Sequence, residues 1–329
     1  MTSFDIRQPA RLDPDEQHFR IPSPRPGLDL FLRLLPAHST AGRPPRPVLY
    51  VHGGTFPSAL SIAHRFDGRS WRDELVQVGF DVWGLDFLGF GESDRYPEMT
   101  APAEANPPLG SAVEASDQIE SAARFICRHH SVERLSIIAH SWGTMPAGRF
   151  AGRCPDLVER LVFFGPVARR AGQAEPARYG AWRLVSLQDQ WDRFTAEVPT
   201  ESPAVLSRRH FDEWGPLYLA SDPGSGQHSP PSVKTPSGPW NDIAQAWAGE
   251  LAYDPALIRA PTAIIRGESD SLASDADARW LFDALSAAPL RRDVKIARGT
   301  HLLHLEENRY ALYREAEAFL RGDDLPPAR

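Results

Sequence analysis

The chain has 329 residues, 42% of them hydrophobic and 24% charged, with a formal net charge of −7. That length can bury one large core and carry an insertion, and the composition is that of an ordinary globular protein. The acidic balance argues against nucleic-acid binding, since no basic excess exists to neutralise phosphates, and it offers no attraction to an anionic membrane. Two cysteines, Cys127 and Cys154, cannot build a disulfide framework and lack zinc-like spacing. Both read as small hydrophobes on helices. The first residues, MTSFDIRQPARLDPDEQ, lack the apolar core of a signal peptide, and no apolar run approaches the roughly 20 residues of a membrane span. A cytoplasmic protein is expected. Residues 1–16 read as a loosely held arm.

Residues 18–21 and 28–34 read as two strands around a Pro/Gly turn, a hairpin at a sheet edge. After a proline-rich connection, residues 48–51 form a short apolar strand that runs into His52-Gly53-Gly54-Thr55-Phe56-Pro57. Residues 71–78 have apolar positions at helical spacing, and Gly79 stops them. The strand 80–86 ends in Gly89-Phe90-Gly91-Glu92-Ser93-Asp94, residues 97–110 are loop, and 111–130 are a long helix. The run Leu135-Ser136-Ile137-Ile138 then leads into Ala139-His140-Ser141-Trp142-Gly143, a helix over 142–154 and a strand over 161–164. Strands alternating with helices predict a mainly parallel sheet with helices on both faces.

That alternation breaks after Pro166. Residues 167–255 carry five tryptophans and a Ser/Pro/Gly-rich stretch at 221–239, and are expected to form a mostly helical inserted cap with a mobile loop. The rhythm returns in the strand 262–265, ending in Arg266-Gly267-Glu268-Ser269-Asp270, then a helix over 276–285 and a last strand over 294–296 that leads to Gly299-Thr300-His301. An amphipathic helix over 308–320 closes the chain. The expected division is a core of 1–166 and 256–329 with the cap, 167–255, between them.

Chemistry gathers at the ends of these strands. A serine hydroxyl is a poor nucleophile unless a base lies within hydrogen-bond reach and a carboxylate orients that base. In parallel α/β sheets reacting groups collect at the carboxyl ends of strands. Three such ends supply Ser141, Asp270 and His301, in that chain order. A fourth supplies Gly53-Gly54, a source of backbone N–H groups.

With these motifs, the stretch from about residue 28 to 321 resembles an α/β-hydrolase-fold enzyme with a cap domain. Ala139 stands where the commonest elbow has glycine, and a methyl is the smallest departure available. The resemblance implies Ser141 as nucleophile, His301 as general base and Asp270 as its orienting acid. It implies an oxyanion hole from the backbone N–H groups of Gly54 and Trp142, with Thr55 a substitute for Gly54. Thr55, Phe56 and His140 would line the substrate, although His140 also suits a packing role beside the elbow. Glu268 competes with Asp270 for the acid, but the family pattern places the carboxylate three residues after the glycine. His52 would brace the oxyanion loop. A metal site at His301-x-x-His304-x-Glu306 is disfavoured, since metallohydrolase signatures are missing.

The implied function is a serine hydrolase that needs no cofactor and cleaves a carboxylic ester, lactone or thioester of a small, apolar or aromatic substrate. Relatives that open epoxides or dehalogenate carry aspartate at the nucleophile position, so Ser141 disfavours those reactions. The alternatives are a proline-iminopeptidase-like aminopeptidase and a carbon–carbon bond hydrolase. From another class comes a non-catalytic small-molecule-binding protein on the same fold. The expected partner is a small-molecule substrate, without nucleic acid or membrane, and a homodimer is compatible with the sequence.

Overall fold

A computed structural model describes residues 10–38, 42, 44–172, 179–201 and 204–322. Strands β1 (Gln17–Pro22) and β2 (Asp29–Leu35) form the expected antiparallel hairpin. Then β3 (Pro47–Val51), helix α1 (Trp71–Gln77), β4 (Asp81–Asp86), α2 (Ala112–His130), β5 (Leu135–His140), α3 (Thr144–Arg153) and β6 (Val158–Phe164) follow in alternation. The next stretch holds β7 (Trp182–Ser186), α4 (Leu187–Thr195), α5 (Arg208–Ala220), β8 (Ser232–Pro236) and α6 (Gly238–Trp247). The chain then returns to β9 (Thr262–Gly267), α7 (Asp275–Ala284), β10 (Arg291–Ile296) and α8 (Arg309–Arg321).

Eight of these strands make one sheet in the order β1-β2-β4-β3-β5-β6-β9-β10. β2 runs antiparallel to β4, whereas β4, β3, β5, β6, β9 and β10 are mutually parallel, so their carboxyl ends share one edge. Side chains alternate across the pleat. Leu49, Val51, Ile137, Ala139, Phe163 and Ile264 therefore face one core with α2 and α3. Val48, Tyr50, Ile138, Val162, Phe164 and Ile265 face the other with α1 and α8. Every residue of β5 is buried, as a central strand covered on both faces requires. Local signals set the helix starts. Ser70 and Asp73 form a reciprocal capping box at α1, and Ser111 accepts the Glu114 N–H at α2.

The regular structure of residues 167–255 is mostly helical, as expected, in α4, α5 and α6, and β7 and β8 pair beside them as a separate antiparallel ribbon. Two expectations are corrected. Part of that ribbon lies inside 221–239, which was expected to be loop throughout: Val233 and Thr235 are buried, and Lys234 N–H donates to Asp222 at 2.8 Å. Proline and serine on both sides hid a β-branched alternation whose partner strand is nearly fifty residues away. The arm is the second correction. Residues 1–9 lie outside the described residues, but Glu16 is fully buried and ion-pairs with Arg33 and Arg72. Burial alone would raise its pKa, yet His18, Arg33 and Arg72 hold it down to about 2.

Candidate active site

Ser141 directly follows β5 at φ +58°, a left-handed conformation that costs a side-chain-bearing residue roughly 1–2 kcal/mol. The turn survives because its surroundings leave no alternative. A Cβ on Gly143 would run into the His52 carbonyl oxygen, and one on Gly53 would stand 3.1 Å from Ser141 Cβ. Ala139 is buried in the ladder between Val51 and Phe163, so its methyl packs where the commoner glycine would leave a gap.

The three strand-end side chains meet. His301 Nε2 lies 2.7 Å from Ser141 Oγ, and its Nδ1 lies 3.0 Å from both carboxylate oxygens of Asp270. Asp270 Oδ1 also accepts the N–H groups of Leu272 and Ala273, at 2.9 and 3.0 Å, which fixes the carboxylate. Nδ1 is thus the donor to Asp270, and Nε2 is left to accept from the serine. An imidazole so held can take the hydroxyl proton. Glu268 points elsewhere: it is exposed and accepts the Arg298 N–H. Of the two competing carboxylates, Asp270 is the one on His301.

Gly54 sits beside the elbow, and a Cβ there would lie 3.9 Å from Trp142 Cβ and 2.9 Å from Pro239 of α6. His52 braces that loop. Its Nδ1 donates to the Gly53 carbonyl at 2.6 Å and its Nε2 accepts the Phe87 N–H at 3.1 Å. Burial pulls its pKa down, so the ring is neutral as this pattern requires. Thr55 is buried next to Phe56, whose ring meets Trp214 edge-on at 5.3 Å. His140, expected along the substrate, lies instead behind the site. Its ring stacks on Phe164 at 4.6 Å and its Nε2 donates to the His301 carbonyl at 3.1 Å, so it supports the His301 loop. Burial keeps it neutral, its pKa well below the usual imidazole range. His304 and Glu306 do not converge on His301 as metal ligands would. Glu306 accepts from the backbone and hydroxyl of Thr300, and burial pushes its carboxyl up to about 7.

Three further residues escaped the sequence. Gly165, at φ +55°, leaves the space into which a Cβ would come within 2.9 Å of both Asp270 Oδ2 and His301 Nδ1. Asp242 of α6 accepts Trp142 Nε1 at 2.8 Å and Ala112 N–H at 2.6 Å, and burial pushes its carboxyl up to about 6. Glu197, just beyond α4, accepts the His301 N–H at 2.9 Å and the N–H and hydroxyl of Ser271. Each lies far along the chain from the group it holds, and none carries a motif.

The profile of the alpha/beta hydrolase fold family matches residues 46–308, which takes in all three strand-end side chains. The chain belongs to the α/β-hydrolase family. Solved members of that fold superpose over nearly the whole chain at low identity. The thioesterase domain from the curacin biosynthetic pathway is 14% identical with a TM-score of 0.56, covering 93% of this chain and 99% of its own. An epoxide hydrolase from Vigna radiata is 12% identical with a TM-score of 0.60, covering 94% and 99%. A thermophilic esterase from Thermogutta terrifontis is 18% identical with a TM-score of 0.54, covering 93% and 98%. No curated protein sequence matches significantly. At these identities the likeness concerns the fold, which hosts many chemistries, so the reaction has to be argued from the site.

Proposed function

We propose that the protein is a serine hydrolase that cleaves a carboxylic ester, lactone or thioester of a small substrate through an acyl-enzyme. The observation that carries this reading is the continuous hydrogen-bonded line Ser141–His301–Asp270, closed at 2.7 and 3.0 Å. Ser141 Oγ attacks the acyl carbon while its proton passes to His301 Nε2. Asp270 holds the imidazole in the accepting tautomer and stabilises the imidazolium. The negative charge that develops on the carbonyl oxygen is met by the N–H groups of Gly54 and Trp142. Losing one such donor typically costs on the order of 3 kcal/mol of transition-state stabilisation. His301 then gives that proton to the departing alkoxide or thiolate, which leaves as alcohol or thiol, or stays attached as the hydroxyl end of an opened lactone. Water, deprotonated by the same imidazole, hydrolyses the acyl-enzyme and restores the serine.

Serine at this position favours acyl transfer over epoxide opening. In this reading residues 167–255 act as the cap. Pro239 on Gly54, Asp242 on Trp142 and Glu197 on His301 tie that segment to the elbow, the oxyanion loop and the base, so substrate has to enter beneath it. In this reading the substrate carries an apolar or aromatic portion, and no cofactor is required. The test is intact mass spectrometry after rapid mixing with 4-nitrophenyl acetate. An acetyl adduct mapped to the Ser141 peptide supports the reading, and turnover without any adduct on Ser141 in the burst phase overturns it.

A further inference from the structure

Arg193 of α4 and Arg183 of β7 flank the same indole. Their guanidinium carbons stand 5.5 and 4.6 Å from the Trp240 ring centre. Neither side chain forms an ion pair or hydrogen bond among the described residues. Arg193 Nε and Trp240 Nε1 are both buried donors without an acceptor. Buried donors are nearly always satisfied, and an unsatisfied one costs about 1–3 kcal/mol. Two like charges beside one ring, with two orphaned donors, suit an anionic group.

The position of this cluster gives it a role. Trp240 directly follows Pro239, which packs on the Gly54 turn. Arg193 stands four residues before Glu197, which accepts the His301 N–H. The cluster therefore draws on two segments, one tied to the Gly54 turn and one to the His301 loop. The neighbouring carboxylates are already committed. Glu197 is taken by His301 and Ser271, and Asp270 by His301, Leu272 and Ala273.

We propose that Arg193 and Trp240, with Arg183 at the same ring, form a subsite for a carboxylate carried by the substrate away from its scissile carbonyl. The substrates would then be half-esters, or half-thioesters, of dicarboxylic acids. A planar guanidinium offers the carboxylate its Nε–H and a terminal N–H, and the indole N–H supplies a third donor. The inference rests on the serine-hydrolase reading for its chemistry but not for its binding, and the test separates the two.

The test compares 4-nitrophenyl hydrogen glutarate with its neutral methyl ester on wild type, Arg193→Gln and Arg193→Lys. The wild type should prefer the anionic ester in kcat/KM by about tenfold or more, and Arg193→Gln should erase that ratio, with Arg193→Lys in between. A wild-type ratio near one overturns the proposal. So does a ratio that survives in Arg193→Gln while both rates fall, which is the mark of a structural arginine. Glutarate titrated against tryptophan fluorescence reads the subsite without turnover. Should neither ester react and Ser141 stay unmodified, the hydrolase reading fails, and glutarate affinity then decides the subsite. Binding that weakens about tenfold or more in Arg193→Gln supports it; equal binding, or none, by both proteins overturns it.

Discussion

Asp242 couples helix α6 to the serine elbow, and its protonation makes that coupling measurable. Its carboxylate accepts from Trp142 Nε1 and Ala112 N–H, and burial raises its pKa from 3.8 to about 6. The folded protein thus keeps a proton that the unfolded chain has released. The contribution of this group to stability is complete below about pH 3.8, declines as the pH rises to about 6, and is level beyond. A shift of roughly two units corresponds to about 3 kcal/mol. Asp242→Asn retains an oxygen acceptor and cannot ionise. Urea unfolding followed by tryptophan fluorescence at pH 4, 5, 6 and 7, taken as variant minus wild type, cancels the other titrating groups. That difference should move in favour of Asp242→Asn by roughly 2–3 kcal/mol from pH 4 to pH 7, most of the full shift. A difference that stays flat, or moves the other way, would refute the reasoning, because the carboxyl would then titrate no higher folded than unfolded.

The same sense holds for Glu306→Gln, whose parent carboxyl sits at about 7. Wild-type stability relative to the variant should fall between about pH 4.5 and 7, read by the same unfolding series. Gly165→Ala adds a methyl 2.9 Å from both Asp270 and His301 at φ +55°. A displacement of this kind costs on the order of 100-fold in kcat, and steady-state ester kinetics with a circular dichroism control would show whether activity falls while the fold holds. Glu197→Ala leaves the His301 and Ser271 N–H groups without their charged acceptor. The expected loss is about 1.5–3 kcal/mol of transition-state stabilisation, seen mainly in kcat. A change confined to KM would instead mean that Glu197 shapes substrate binding.

Much of the architecture was legible because it is written in short-range patterns. The β-branched runs at 48–51, 135–138 and 262–265 are buried on both faces, and each ends in the motif that the sheet carries to one edge. Ser141, Asp270 and His301 could be read from strand ends and chain order, and they do meet. What stayed hidden depends on partners distant in sequence. Glu16 is fixed by Arg33 and Arg72, Asp242 by Trp142, and Glu197 by His301, across gaps that no periodicity marks. The β7–β8 ribbon failed for the same reason, since each strand alone is five residues of mixed composition. Adjacency to Ser141 in the chain points His140 toward the substrate. Strand alternation turns neighbouring side chains to opposite faces, and its ring went to Phe164.

The most direct test of the central claim is labelling with a fluorophosphonate probe, wild type against Ser141→Ala, with the modified peptide mapped. An activated serine predicts a single adduct on Ser141 that vanishes in the variant while its unfolding curve is preserved. Labelling that persists in Ser141→Ala, or a folded wild type that takes no label, would contradict a nucleophile at Ser141.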